Sequence, residues 1–252
     1  MATYALTSWF RLPSQGMKSY EILSRASCFL LNPSETTKIE STKEVPPIVL
    51  TSQHVIRPFH FPKYYPEPWI QFISQSDIKI FLEIRSPTGQ ILLKTELQHP
   101  HHHSSRDISI LEFPPNSLPP PSLKISRLNS SPFTPHLPIT CSGHVLSSQD
   151  EDTSSSPSSP SLLPLFVPGK LTYTSPSQSF ASTKKILTMG MCGGPVLNNN
   201  NDVIGMVEGI VPKGASKDDL LEGMVAFIGG NVIEEFVEGY GGKIKKEGVK
   251  II

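Results

Sequence analysis

Gly190-Met191-Cys192-Gly193-Gly194-Pro195 brings a nucleophile and a device for holding negative charge together in six residues. Attack on a carbonyl needs an exposed nucleophile and N–H donors placed for the oxyanion that forms. Glycines flanking a cysteine permit a tight turn in which successive backbone N–H groups point the same way. Such a turn puts the N–H groups of Gly190 and Cys192 within reach of one oxygen, with Cys192 as the candidate nucleophile. The same six residues also fit a buried cysteine in a Gly-rich turn, because free cysteine is among the most buried residue types.

Two upstream segments hold the groups such a nucleophile needs. In Val49-Leu50-Thr51-Ser52-Gln53-His54-Val55-Ile56 an apolar run leads into a small polar patch, a histidine and more apolar residues, which places His54 at a strand end beside a core. In Arg106-Asp107-Ile108-Ser109-Ile110-Leu111-Glu112-Phe113 an aspartate precedes a strand rich in β-branched residues. A nucleophile needs a general base, and the base needs an orienting carboxylate. Singly, His54 reads as a structural histidine and Asp107 as a turn residue. Order, spacing and flanking patterns together favour chemistry.

Leu50-Thr51-Ser52-Gln53-His54-Val55, Arg106-Asp107-Ile108-Ser109-Ile110-Leu111 and Gly190-Met191-Cys192-Gly193-Gly194-Pro195-Val196 resemble the three catalytic segments of trypsin-like peptidases of the chymotrypsin fold, in the style of the HtrA/Deg group. Val196-Leu197-Asn198 with Val203 to Val207, and Gly223 to Ile228 with Asn231-Val232-Ile233, resemble that group's final strands and closing helix. The likeness runs in patches from about residue 20 to 240 and is weak between 115 and 175. It implies an all-β, chymotrypsin-like double β-barrel with a short C-terminal helix and no cofactor. It also implies an endopeptidase acting on polypeptides through Cys192, His54 and Asp107, with Gly190 and Cys192 as the oxyanion hole. Val207, Glu208 and Gly209 then wall the specificity pocket. Glu208 either faces that pocket and favours a basic side chain, or turns to solvent as strand alternation suggests.

The departures carry weight. Most of the family has serine where this chain has Cys192, and cysteine there is similar to picornavirus-type processing proteases. Met191 cannot pair with a newly cut N-terminus as an acidic residue would, which argues against activation by N-terminal cleavage. With nothing after residue 252 to make a PDZ module, the resemblance implies a bare protease domain; HtrA-type enzymes are commonly trimers, so an oligomer is possible. Exchange of oxygen for the larger sulfur leaves a second reading open: a weak or inactive protease-like scaffold, such as a subunit of a larger assembly. A thiol redox sensor would want a resolving cysteine, and none is close in sequence.

Several elements must position these residues. Residues 1–20 read as an N-terminal leader or arm, 21–115 as the first barrel, 116–240 as the second and 241–252 as a tail. Ala26 to Leu31 and Val49 to Thr51 read as the first two strands. Ile78, Ile80, Leu82 and Ile84 alternate with Lys79, Phe81 and Glu83, giving a strand with one buried face. Ser86-Pro87-Thr88-Gly89 fits a type I turn into a second strand from Ile91 to Leu97. The Pro/aromatic stretch Phe59 to Trp69 follows His54, and either walls the cleft or packs its rings on the barrel. His99 with His101, His102 and His103 is read as a loop tract rather than a metal site, because ligands must be held in fixed geometry. Residues 147–160, nearly all Ser, Pro and acid, read as a mobile insert. Asn231 reads as the cap of the closing helix, Glu234 as the completion of its capping box, and Gly239 as its end.

Composition bounds the rest. The chain has 252 residues with 22 basic and 22 acidic side chains, a formal net charge of zero. That offers no electrostatic case for nucleic acid or anionic membrane as a partner. No apolar run approaches the roughly 18 residues of a membrane span. The 25 prolines suit a loop-rich β protein better than a helical one. Cys28, Cys141 and Cys192 do not make a disulfide framework. A working thiol must stay reduced, which favours an intracellular setting, the cytoplasm or an organelle such as a mitochondrion or plastid.

Overall fold

A computed structural model describes residues 3–36, 46–115, 119–134, 136–146, 162–175, 178–212, 214 and 219–246. The insert 147–160 lies outside the described residues. Twelve strands among these residues close into two six-strand antiparallel barrels, and a C-terminal helix packs across their junction.

The first barrel consists of β1 (Tyr4–Phe10), β2 (Glu21–Leu31), β3 (Ile48–Thr51), β4 (Ile78–Arg85), β5 (Ile91–His102) and β6 (Ser109–Glu112), paired in the order β1-β2-β3-β6-β5-β4. It starts earlier than the sequence pattern indicated. Residues 4–10 form a strand rather than an arm: they pair with both β2 and β4, and all of them but the half-buried Trp9 are buried. The strand was hidden because Thr7 and Ser8 interrupt its apolar pattern. Both are buried with partners, Thr7 Oγ1 donating to Glu83 at 2.9 Å and Ser8 Oγ to the Val55 carbonyl at 3.1 Å. Glu83 departs from the expected alternation for the same reason. It is buried, and Arg85 and Thr7 satisfy its carboxylate. The hairpin turn matches its sequence signature, with Gly89 N–H donating to the Ser86 carbonyl and Gly89 in the left-handed region.

The second barrel consists of β7 (Pro138–Leu146), β8 (Leu162–Thr174), β9 (Ser179–Thr183), β10 (Pro195–Leu197), β11 (Val203–Ile210) and β12 (Val225–Gly229), in the order β10-β11-β12-β9-β8-β7. Closure satisfies strand edges in both barrels. The connection between barrels is stitched to each. Ser126 N–H donates to the Leu30 carbonyl, and at 2.8 Å each Asn129 N–H donates to the Val203 carbonyl and Val203 N–H to the Arg127 carbonyl.

Short helices α1 (Pro33–Thr36) and α2 (Gln53–Ile56) decorate the first barrel, and α3 (Gly230–Lys246) closes the chain. Gly239 does not end α3, which runs seven residues further into the expected tail. Val232, Ile233, Phe236, Val237 and Tyr240 bury one face, and a glycine inside a helix held by that much packing is tolerated. This face completes an apolar seam. Phe29, Leu31, Leu50, Ile108 and Ile110 from the first barrel meet Met206, Ile228 and the helix from the second. The histidine tract is structural rather than a loose loop. β5 carries His101 and His102, His101 stacks on Phe236 at 5.6 Å between ring centroids, and His102 Nδ1 pairs with Ser109 Oγ at 2.7 Å. Burial drives His102 down to about 4, so it is neutral there.

Phe29 sits fully buried at the seam. Phe29→Ala is expected to cost about 3–5 kcal/mol through lost burial and the cavity left behind. Urea unfolding with an unchanged m-value checks this.

Candidate active site

Ile48–Thr51 delivers the chain to the junction of the barrels, and the single turn of α2 lifts His54 into the cleft. That turn is pinned from beneath, because the Val55 carbonyl accepts from Ser8 Oγ and, at 2.8 Å, from Ser24 Oγ. Asp107 lies two residues before β6, which pairs with β3, so strand register brings it beside His54. One carboxylate oxygen accepts the His54 backbone N–H at 2.8 Å, and the other meets ring Nδ1 at 2.6 Å. Two bonds from one carboxylate fix both the position and the rotation of the ring. With Nδ1 committed to Asp107, Nε2 is the ring nitrogen left to face outward.

Cys192 comes from the opposite barrel. Gly190 and Gly193 both adopt positive φ, +99° and +80°, which side-chain-bearing residues rarely do. Space demands the second glycine as well: a Cβ on Gly193 would lie 2.4 Å from both the Ser27 carbonyl and Thr51 Oγ1. The turn is tied down by Gly194 N–H to the Met191 carbonyl at 3.1 Å, Gly193 N–H to the Val207 carbonyl at 2.9 Å and Ser27 N–H to the Cys192 carbonyl at 3.0 Å. Among the described residues, neither the Gly190 nor the Cys192 N–H donates to a protein acceptor. Met191 is buried in the second barrel's core, which suits its apolar side chain. Cys28 and Cys141 are free and buried. Burial pushes the Cys28 thiol far above its ordinary range, with the Glu83 charge adding, and pushes Cys141 up to about 12.

His54 and Cys192 line one pocket of about 470 Å³ together with Tyr64, Met189, Val207 and Glu208. Burial alone would drive the imidazole toward neutrality. Hydrogen bonds to Asp107 and to Cys192, and the charges on both, reverse that and push His54 up to about 10. The wall beyond the ring is aromatic: Tyr64 lies 5.0 Å and Phe61 6.0 Å from it, centroid to centroid. Part of the 59–69 stretch thus borders the cleft, while Trp69 stacks on Phe10 at 4.9 Å.

Residues 26–206 match the Trypsin-like peptidase domain family. The chain belongs to that family. The match spans both barrels from β2 into β11 and takes in His54, Asp107 and Cys192. No curated protein matches the chain.

Within this peptidase-fold protein the pocket floor departs from simple strand alternation. β11 pairs with β12 through Val207↔Phe227 and then Gly209↔Ala226, so Glu208 is an extra residue in a bulge. A bulge re-aims its side chain. Glu208 turns into the pocket rather than to solvent, and Gln178 Nε2 donates to its carboxylate. Burial raises its pKa, partly opposed by Gln178, Arg106 and His54. The sequence reading missed Tyr64 as a site residue, Gln178, and Met189, which stands 80% exposed on the rim. A bulge and a partner from the β8–β9 connection leave no mark in a single strand's pattern.

His54 is held above its unfolded value of about 6.5. Its ionic contribution is therefore complete below that pH and is lost as pH rises toward about 10. The stability difference between the wild type and His54→Ala is expected to shrink from pH 6 to pH 10, measured by urea unfolding. The His54 ring resonances are expected to titrate near the upper end of that window.

Proposed function

We propose that this trypsin-like peptidase-fold protein is a thiol endopeptidase, with the cysteine-type variant of a His–Asp-supported nucleophile and a motif pattern most like the HtrA/Deg group. The supporting observation is that His54, doubly hydrogen-bonded to Asp107, lines the same pocket as Cys192. The Cys192 sulfur attacks the scissile carbonyl carbon, and the carbonyl electron pair moves to oxygen. The Gly190 and Cys192 N–H groups hold that oxyanion. As it collapses, the C–N bond breaks, and protonated His54 gives its Nε2 proton to the leaving amine. Water then attacks the thioacyl-enzyme, His54 takes its proton, and the acid departs as the sulfur regains its electron pair. Asp107 keeps the ring in the tautomer that makes both transfers possible. A working thiol is consistent with a reducing intracellular compartment.

The pocket supports a preference for a basic side chain next to the scissile bond. Its walls are largely apolar, with Leu187, Met189, Met191, Val207 and Ile210 suited to an aliphatic stem. Its one carboxylate, Glu208, is positioned by Gln178 to meet a cationic head.

Incubation with short peptides bearing Lys, Leu or Glu at that position is expected to give cleavage chiefly after Lys. Mass spectrometry should trap an acyl adduct on Cys192. Cys192→Ala abolishes turnover, whereas Cys192→Ser keeps a trace. Glu208→Gln is expected to lower kcat/KM for the Lys peptide by about tenfold, about 1.4 kcal/mol, and to leave the Leu peptide unchanged. An intact wild-type protein that forms no adduct with any peptide counts instead for a protease-like scaffold.

A further inference from the structure

One buried side chain of the first barrel grips the nucleophile turn of the second. Ser27 lies on β2 and is fully buried. Its hydroxyl donates to the Gly190 carbonyl at 2.7 Å and accepts the His144 N–H at 2.8 Å. Its backbone N–H donates to the Cys192 carbonyl at 3.0 Å, and its own carbonyl accepts Thr51 Oγ1 at 2.9 Å. The fit around the hydroxyl is tight. A Cβ on Gly143 would lie 2.9 Å from Ser27 Oγ and 3.0 Å from Met191 Cα.

Peptide geometry turns this grip into a direction. In a trans peptide the C=O and N–H groups point opposite ways. The Met191 carbonyl is taken up by Gly194 N–H inside the turn, so the Cys192 N–H points out of it. Gly190, at φ +99°, is the freest joint of the turn, and it carries the other donor. The Ser27 hydroxyl bond fixes rotation about that residue by holding its carbonyl, and the Ser27 N–H fixes the carbonyl two residues on. The buried hydroxyl has both a donor and an acceptor partner, so its orientation is determined rather than free.

We infer that Ser27 is a positioning residue. Its hydroxyl locks the turn with the Gly190 and Cys192 N–H groups facing the cleft, which makes the oxyanion-holding geometry of the second barrel conditional on docking of the first. The catalytic half of this inference rests on the proposed peptidase activity; the conformational half does not.

Crystal structures of the wild type and Ser27→Ala, with steady-state kinetics on a Lys peptide, test both halves. In Ser27→Ala the Gly190 carbonyl is expected to swing free, Gly190 to leave its φ near +99°, and the Met189–Gly190 peptide, which carries the Gly190 N–H, to rotate from the cleft. The kcat falls about 10–100-fold with KM within about twofold, less than the 10²–10³ loss typical of deleting a donor outright. Gly143→Ala, which displaces the hydroxyl without removing it, is expected to give the same split between kcat and KM. An unchanged turn in Ser27→Ala, or a loss confined to KM, overturns the assignment. A wild type that cleaves nothing, with a turn that still rotates in Ser27→Ala, supports the positioning role and sinks the peptidase reading instead.

Discussion

Everything in the cleft depends on how the two barrels are pressed together. The histidine and aspartate come from the first barrel, the cysteine and the pocket carboxylate from the second, and neither barrel holds a complete set. The apolar seam of Phe29, Leu31, Leu50, Ile108 and Ile110 against Met206, Ile228 and the α3 face fixes their separation. Polar bonds at the cleft end of the seam set finer alignment, notably Ser27 N–H to the Cys192 carbonyl and Ser52 Oγ to the Val207 carbonyl. Hydrophobic burial is strong but non-directional, and hydrogen bonds are directional but individually modest. The division of labour follows from that difference.

The electrostatics of the cleft are built on the same plan. A buried imidazole would ordinarily stay neutral, as His144 does and as even the half-buried His102 does. His54 does not, because one carboxylate meets it at two points and Cys192 adds to the same effect. Burial strengthens those interactions by excluding water. The Tyr64 and Phe61 rings contribute by covering the imidazole without competing for its nitrogens.

The double barrel was legible through the resemblance to trypsin-like peptidases, and the segments around His54, Asp107 and Cys192 that carry it were legible because each is a local pattern. Apolar runs end in a histidine or begin after an aspartate, and glycines bracket a cysteine. The first strand was not legible, since Thr7 and Ser8 look like surface residues until Glu83 and the Val55 carbonyl supply partners from 76 and 47 residues away. The inward turn of Glu208 was obscured by a bulge that shows only against the register of β12. The extent of α3 was misjudged because Gly239 reads as a stop when tertiary packing is not in view. In each case long-range contact overrode a local rule.

The central proposal is that His54 and Cys192 act as one ion-paired unit. The pH dependence of iodoacetamide alkylation at Cys192, compared between the wild type and His54→Ala, tests it without any knowledge of substrate. An imidazolium neighbour favours the reactive thiolate. The account predicts alkylation that stays fast well below pH 8 in the wild type and slows sharply near neutral pH in His54→Ala. A labelling curve with its midpoint near that of an ordinary thiol, about 8.5, and unmoved by His54→Ala would contradict it.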